Sequence, residues 1–156
     1  MTTVNVLSKW SKRFLEMATL VASWSKDSST KVGAVISDSN KKVVSVGFNG
    51  FPMLTDDNDL PRERKLLRTI HAELNAILTA RRSVEGCTIH ITAPPCSQCA
   101  AAIVQSGITK VIFYYPENGF AERWALSTEE AGRIFEEAGV DVVCFKPAKI
   151  IKKLPY

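Results

Sequence analysis

Histidine is nearly absent from this chain, with two among 156 residues, and cysteine is sparse, with four. Four cysteines are too few to staple a chain of this size, so no disulfide scaffold is expected and reduced thiols in the cytoplasm are. No apolar run approaches the roughly 20 residues that span a bilayer, and the N-terminus has no apolar stretch of the signal-peptide kind. Neither a membrane partner nor secretion is therefore expected. Repeats and low-complexity segments are missing. So is a concentrated lysine or arginine stripe: the net charge of +4 is mild, which suits a phosphate-bearing ligand better than a nucleic-acid duplex. What is present is ordinary for a folded protein. With 46% apolar and 23% charged residues, one domain over 1–156 with a single sizeable core is expected.

Leu7, Trp10, Phe14, Met17, Val21 and Trp24 recur at spacings of three and four. This predicts a first helix with one apolar stripe, and both tryptophans read as core residues. The polar stretch 25–30 ends it. KVGAVISDS and KVVSVGFN, joined by the turn-like DSNKK, predict a hairpin. From Gly47 to Arg64 glycine, proline, asparagine and aspartate recur throughout; this reads as a long loop, and such loops are often functional. A second helix is expected from about His71 to Arg82, with Leu74, Ile77 and Leu78 on one face. CTIHITA reads as a strand, CSQCAAAIVQSG as a helix stopping at Gly107, and KVIFYY as a strand. STEEAGRIFEEAG reads as a helix opened by the capping pattern Ser127-x-x-Glu130 and closed at Gly139. VDVVCF is the last strand. The order α-β-β-α-β-α-β-α-β, alternating in its second half, predicts an α/β fold: a three-layer α/β/α sandwich around a five-stranded mixed sheet.

Against the scarcity of histidine and cysteine, two clusters stand out. His71 precedes Glu73 by two residues, and Cys96 and Cys99 are three apart. A cysteine pair at i and i+3 in a helix's first turn points both sulfurs the same way, where the helix dipole favours thiolates. Two thiolates and an imidazole suit zinc, and three protein ligands leave a fourth position for a reactant. Two other readings of the cysteines remain open at this point. They could form a redox pair, although the W-C-x-x-C context is missing. His90 could complete a closed structural site, although it alternates with Ile89 and Ile91 as a strand residue would. Cys87 and Cys144 sit in apolar strands and read as small buried hydrophobes. Glu73 favours chemistry: a carboxylate beside the metal can take a proton from water and hand it to a leaving nitrogen.

The pattern H-x-E…P-C-x-x-C appears as His71-Ala72-Glu73 and Pro95-Cys96-Ser97-Gln98-Cys99. With the strings SKDSSTKVGAVI, GFNGFP, HAELNAIL and QSGITKVIF, it resembles the deoxycytidylate deaminases, members of the zinc-dependent nucleobase deaminase superfamily. The likeness runs from about Ser25 to Pro147. The zinc signature alone marks the superfamily; GFNG and HAELNAI in that order make the resemblance specific. It implies a cytidine deaminase-like fold, one catalytic Zn²⁺ per chain on His71, Cys96 and Cys99, and Glu73 as proton shuttle. The implied reaction is hydrolysis of dCMP to dUMP, which feeds thymidylate synthesis. The resemblance also implies that Tyr115, with Tyr114 close behind, stacks near the base and that Asn49 meets the sugar. Ala72 belongs to the same implied site, and Ser25 and Lys26 lie near the substrate phosphate. Finally, it implies a homohexamer activated by dCTP and inhibited by dTTP with Mg²⁺. The effector residues would be Gly47, Phe48, Gly50 and Asn58, near a subunit interface.

Two departures qualify the likeness. Some members hold a second, structural zinc, but neither the 25–30 loop nor the segment 53–68 contains cysteine or histidine, so one zinc per chain is expected. The effector loop usually reads G-Y-N-G; Phe48 keeps the ring and drops the hydroxyl. Two rival functions share the motifs. A polynucleotide deaminase would need a basic, aromatic surface, for which the C-terminal KPAKIIKKLPY is the one candidate. A non-enzymatic zinc-stabilised binding module is the other.

Overall fold

The computed structural model describes residues 1–4, 6–56, 59–116 and 125–146. The elements in chain order are β1 (Thr2–Val4), α1 (Lys9–Ala22), β2 (Gly33–Ser37), β3 (Val43–Phe48), α2 (Arg62–Arg68), α3 (Ala72–Thr79), β4 (Thr88–Ile91), α4 (Ser97–Gln105), β5 (Lys110–Tyr114), α5 (Ala125–Ala138) and β6 (Asp141–Phe145). The strands form one mixed sheet in the order β1-β6-β5-β4-β2-β3. β1, β6, β5 and β4 run parallel, and β2 pairs antiparallel with both β4 and β3. Among the described residues no helix is long and apolar enough to cross a membrane.

Strand alternation sorts the core into two layers. Ala34, Ile36, Ile89, Ile91, Val111 and Phe113 face α3, α4 and α5. Val35 and Ile112, between them, face α1 through Phe14, Leu15 and Ala18. Among the described residues, three helices therefore cover one side and α1 covers the other, the three-layer sandwich expected. The β2–β3 hairpin also forms as expected. Asp38 Oδ1 accepts the backbone N–H groups of Asn40 and Lys42 at 2.9 and 3.0 Å. Gly107 and Gly139 end α4 and α5 with positive φ, at 83° and 70°.

Several expectations need correction. The sheet has six strands: the β-branched Thr2-Thr3-Val4 adds β1 beside β6, a strand too short to show periodicity. Part of the long polar segment is helical, with Pro61 preceding the charged turn of α2. Trp10 and Trp24 are not core residues. They are 42% and 52% exposed, and Met17 is 37% exposed. Phe14 and Val21 of the expected stripe are buried, and Leu15, Ala18 and Ala22 complete the buried face of α1. At Gly33 a Cβ would lie 2.0 Å from the Ala18 carbonyl oxygen and 2.6 Å from the Ala22 nitrogen, so the helix backbone rests on the strand there, with the two alanines at the contact. α3 repeats the device. It spans Ala72–Thr79, and its buried residues are Ala72, Glu73 and Ala76 rather than Leu78, which is 63% exposed. Here a Cβ on Gly47 would lie 2.3 Å from the Ala72 oxygen and 2.4 Å from the Ala76 nitrogen.

Candidate metal centre and active site

Two helix starts build the site. His71 caps α3 with an extended backbone (φ −66°, ψ 155°). Its approach is fixed by the preceding residue, because Ile70 and Gly50 exchange backbone hydrogen bonds of 2.8 and 3.1 Å. Cys96 caps α4 after the Pro94-Pro95 pair, and its sulfur accepts the Cys99 N–H at 3.5 Å. α3 and α4 pack on the same side of the sheet, so the two N-termini meet.

His71 Nδ1 lies 3.5 Å from Cys96 Sγ and 3.4 Å from Cys99 Sγ, and the three ligand atoms all fall within 4.8 Å of one another. Zinc with tetrahedral bonds of about 2.0–2.1 Å to nitrogen and 2.3 Å to sulfur requires a nitrogen–sulfur edge of about 3.5 Å. The donor set therefore fits the ion in both chemistry and spacing. Cys96 is pushed down to about 4, chiefly because the Cys99 thiol donates to it, with His71 helping; Cys99 is raised for the same reason and by its burial. The hydrogen bond to Cys96 also raises His71. This is an electron-rich pocket prepared for a cation.

Glu73, in the first turn of α3, is 4% exposed. Burial pushes its carboxyl up to about 6. A group with that pKa takes up and releases protons readily near neutrality. It lines one cavity with His71, Cys96, Ala72 and Asn49. His90, weighed above as a fourth ligand, is on the other face of the sheet, 5.0 Å from the Phe14 ring. The ligand cluster among the described residues is His71, Cys96 and Cys99. Cys87 and Cys144 are buried free thiols, as expected.

The remaining expected substrate residues divide. Asn49 lines the cavity, and its amide also holds the loop before β2: Nδ2 donates to the Thr30 carbonyl at 2.9 Å and Oδ1 accepts the Val32 N–H at 2.9 Å. Ser25 is 2% exposed behind it, donating to the Asn49 carbonyl at 2.7 Å. Ser25, Lys26 and Tyr115 are not among the residues that line the cavity. Tyr115 follows β5, with the Lys146 ammonium 4.7 Å from its ring centre. At Gly47 the open side is filled by α3. Phe48 meets the edge of Trp24 at 6.1 Å, and Asn58 lies outside the described residues.

Sequence reasoning missed two contributors. Arg62 enters the cavity wall from α2; Pro61 before a charged, leucine-bearing turn was the available signal. Ser127 lies inside α5 and does not cap it. Its hydroxyl instead accepts the Ser97 N–H at 2.9 Å and meets Ser97 Oγ at 3.1 Å. α5 thereby satisfies the start of α4 beside the ligand Cys96, a long-range partnership that sequence spacing cannot report.

A three-layer α/β/α fold that joins a His-Cys-Cys cluster to a buried glutamate in one cavity defines a zinc-type hydrolytic deaminase. Comparison with known proteins gives the family. The model of the cytidine and deoxycytidylate deaminase zinc-binding region matches residues 8–115, and the chain belongs to this family. It is 51% identical to the Aliivibrio fischeri protein named "Uncharacterized deaminase in luxG 3'region", over 94% of this chain and 100% of that one. It is 36% identical to the deoxycytidylate deaminase of Mus musculus, over 89% of this chain and 81% of the other. In fold it resembles the dCMP deaminase of cyanophage S-TIM5, solved in complex with dCMP and dUMP, with a TM-score of 0.74 and 24% identity over 90% of this chain and 99% of that one.

Proposed function

We propose that the chain, as a single deaminase domain over 1–156, hydrolyses dCMP to dUMP and ammonia in the cytoplasm, supplying dUMP for thymidylate synthesis. The observation that carries this reading is the His71–Cys96–Cys99 cluster beside the buried Glu73, in a chain 36% identical to a deoxycytidylate deaminase. His71, Cys96 and Cys99 would hold one zinc ion. When bound, zinc supplies the Lewis acidity that makes water a nucleophile near neutral pH. Glu73 accepts the proton that water gives up as its oxygen joins C4 of cytosine, and passes it to N3 as the C4–N3 double bond opens. It then takes the proton of the new C4 hydroxyl and delivers it to the amino nitrogen; the bond from C4 to that nitrogen breaks, the C4 carbonyl forms, and ammonia leaves. Ala72 and Asn49 line the pocket beside it, Asn49 facing the sugar, with Ser25 bracing Asn49 from behind. Stacking of Tyr115, at the end of β5, near the base rests on the family resemblance, since Tyr115 is not among the residues that line the cavity.

Regulation belongs to the same proposal: dCTP with Mg²⁺ activates and dTTP inhibits, through the loop of Gly47, Phe48, Gly50 and Asn58. The Phe48–Trp24 ring pair supports a nucleotide site there, with Gly50 beside it in ordinary contact with the Phe48 ring at 3.7 Å. A coupling of about 1–3 kcal/mol between the two sites suffices for a many-fold change in apparent affinity. The exposed Trp10, Met17 and Leu20 on α1, with Trp24 just after it, support burial in a homohexamer, which a light-scattering mass measures directly. The deciding experiment follows deamination of dCMP, deoxycytidine and a short oligonucleotide side by side, with dCMP curves repeated with each triphosphate. Preference for dCMP is expected, raised by dCTP and lowered by dTTP. Deamination of the oligonucleotide in preference to dCMP overturns the substrate, and three identical dCMP curves overturn the regulation.

A further inference from the structure

We propose that Arg62, with Ser29 beside it, forms the subsite that recognises the 5′-phosphate of the nucleotide substrate, so that the helix α2 supplies the phosphate selectivity. This deepens the proposed dCMP deaminase reading and rests on it. Sequence reasoning had placed the phosphate against Ser25 and Lys26.

The cavity that holds His71, Glu73 and Cys96 also includes Arg62 and Ser29. Among the described residues that line it, Arg62 is the one lysine or arginine. Its guanidinium is already aimed: Nη2 donates to Ser29 Oγ at 2.8 Å. Ser29 Oγ in turn donates to Asp27 Oδ1 at 3.1 Å, and the same carboxylate oxygen accepts the N–H groups of Ser29 at 2.8 Å and Thr30 at 2.9 Å. The carboxylate is thus engaged in shaping the 27–30 loop; Arg62 lies near enough to help hold its pKa down, but their hydrogen-bonded link runs through the serine hydroxyl. A guanidinium carries five N–H donors in a planar fork matched to phosphate oxygens, and Ser29 takes one of them. Its orientation is therefore set while its remaining donors stay available to an anion, which reduces the ordering cost of binding. Asn49, proposed to meet the sugar, donates to the carbonyl of Thr30, next to Ser29, so a nucleotide with its base at the metal ligands and its sugar at Asn49 would turn its phosphate toward Ser29 and Arg62 in the same cavity.

The test uses zinc-loaded enzyme, comparing wild type with Arg62→Gln, Arg62→Lys and Lys26→Gln, and reads kcat/KM for dCMP over that for deoxycytidine alongside zinc content. Loss of a charge-assisted contact predicts that Arg62→Gln lowers this preference about 10- to 100-fold, mainly through KM for dCMP, with zinc retained. Arg62→Lys should fall between, because a point charge replaces the fork. Equal loss on both substrates would reduce Arg62 to a structural strap and overturn the proposal. So would an unchanged preference in Arg62→Gln with the loss appearing in Lys26→Gln. If Arg62→Gln does not fold, Arg62→Lys decides: a preference equal to wild type overturns the proposal. Wild-type enzyme that fails to deaminate dCMP overturns the function itself rather than this assignment.

Discussion

At the scale of single residues, the site works by giving neighbouring groups different environments. Cys96 and Cys99 meet in the first turn of α4 beside His71, where the two sulfurs and the imidazole Nδ1 fall within 4.8 Å of one another. Glu73 is taken out of water, which moves its carboxyl up to about 6. These placements separate holding a metal from moving a proton. Glu73→Gln is therefore expected to retain zinc while kcat drops about 10²- to 10⁴-fold, the usual contribution of a positioned acid–base group. Metal analysis beside turnover measurement checks it, and a mutant with most of its rate would remove Glu73 from the proton path. Cys99→Ala should behave differently, losing zinc and activity together, because it removes one of three ligands. The same metal analysis reads that result; full zinc content in the mutant would sink the ligand assignment.

At the scale of elements, two glycines set the spacing of the layers. Gly33 seats α1 and Gly47 seats α3, each with backbone where a Cβ would stand. Gly47→Ala places a methyl against the Ala72 oxygen and Ala76 nitrogen, atoms of a helix backbone that cannot step aside without moving His71 and Glu73. Overpacking of this kind costs about 1–3 kcal/mol, and activity should fall with stability. Gly50→Ala is the contrast, since the nearest atom is 3.7 Å away on the Phe48 ring, and its urea midpoint should match wild type. Equal midpoints for both variants would show that α3 is not seated as described.

At the scale of the whole molecule, His90 is the buried ionisable group on the α1 side. It is 2% exposed, packs against Phe14, and has an Nδ1 without a hydrogen-bond partner. Burial holds its pKa down to about 4, below the ordinary 6.5. The sign follows: between those values the unfolded chain binds a proton that the folded chain refuses, so His90's contribution to stability is full above pH 6.5 and is lost as pH falls toward 4. The loss between pH 7.5 and 5 is about 2 kcal/mol. Glu73, with its raised pKa, acts in the opposite sense, so the measurement is the difference between wild type and His90→Phe in urea unfolding at both pH values. The variant should lack this acid-side loss; parallel curves would mean that His90 titrates in the folded protein as it does in the unfolded chain.

The sequence by itself determined the chemistry, because donor atoms and proton carriers are residue identities: His71, Glu73, Cys96 and Cys99 are legible as types at a spacing. It also determined the layers, because strands and helices alternate and glycines mark their ends. Only the tertiary structure decided which faces are buried. Periodicity predicts Trp10, Trp24 and Leu78 inwards, whereas they are exposed, and the closest approaches, at Gly33 and Gly47, are to backbone at Ala18, Ala22, Ala72 and Ala76. It alone paired β1 with β6, put Ser127 at the start of α4, and brought Arg62 across to Ser29, 33 residues away. Each of these is a contact between segments distant in the chain. A local pattern records what a residue can do, and packing selects which neighbour it does it with.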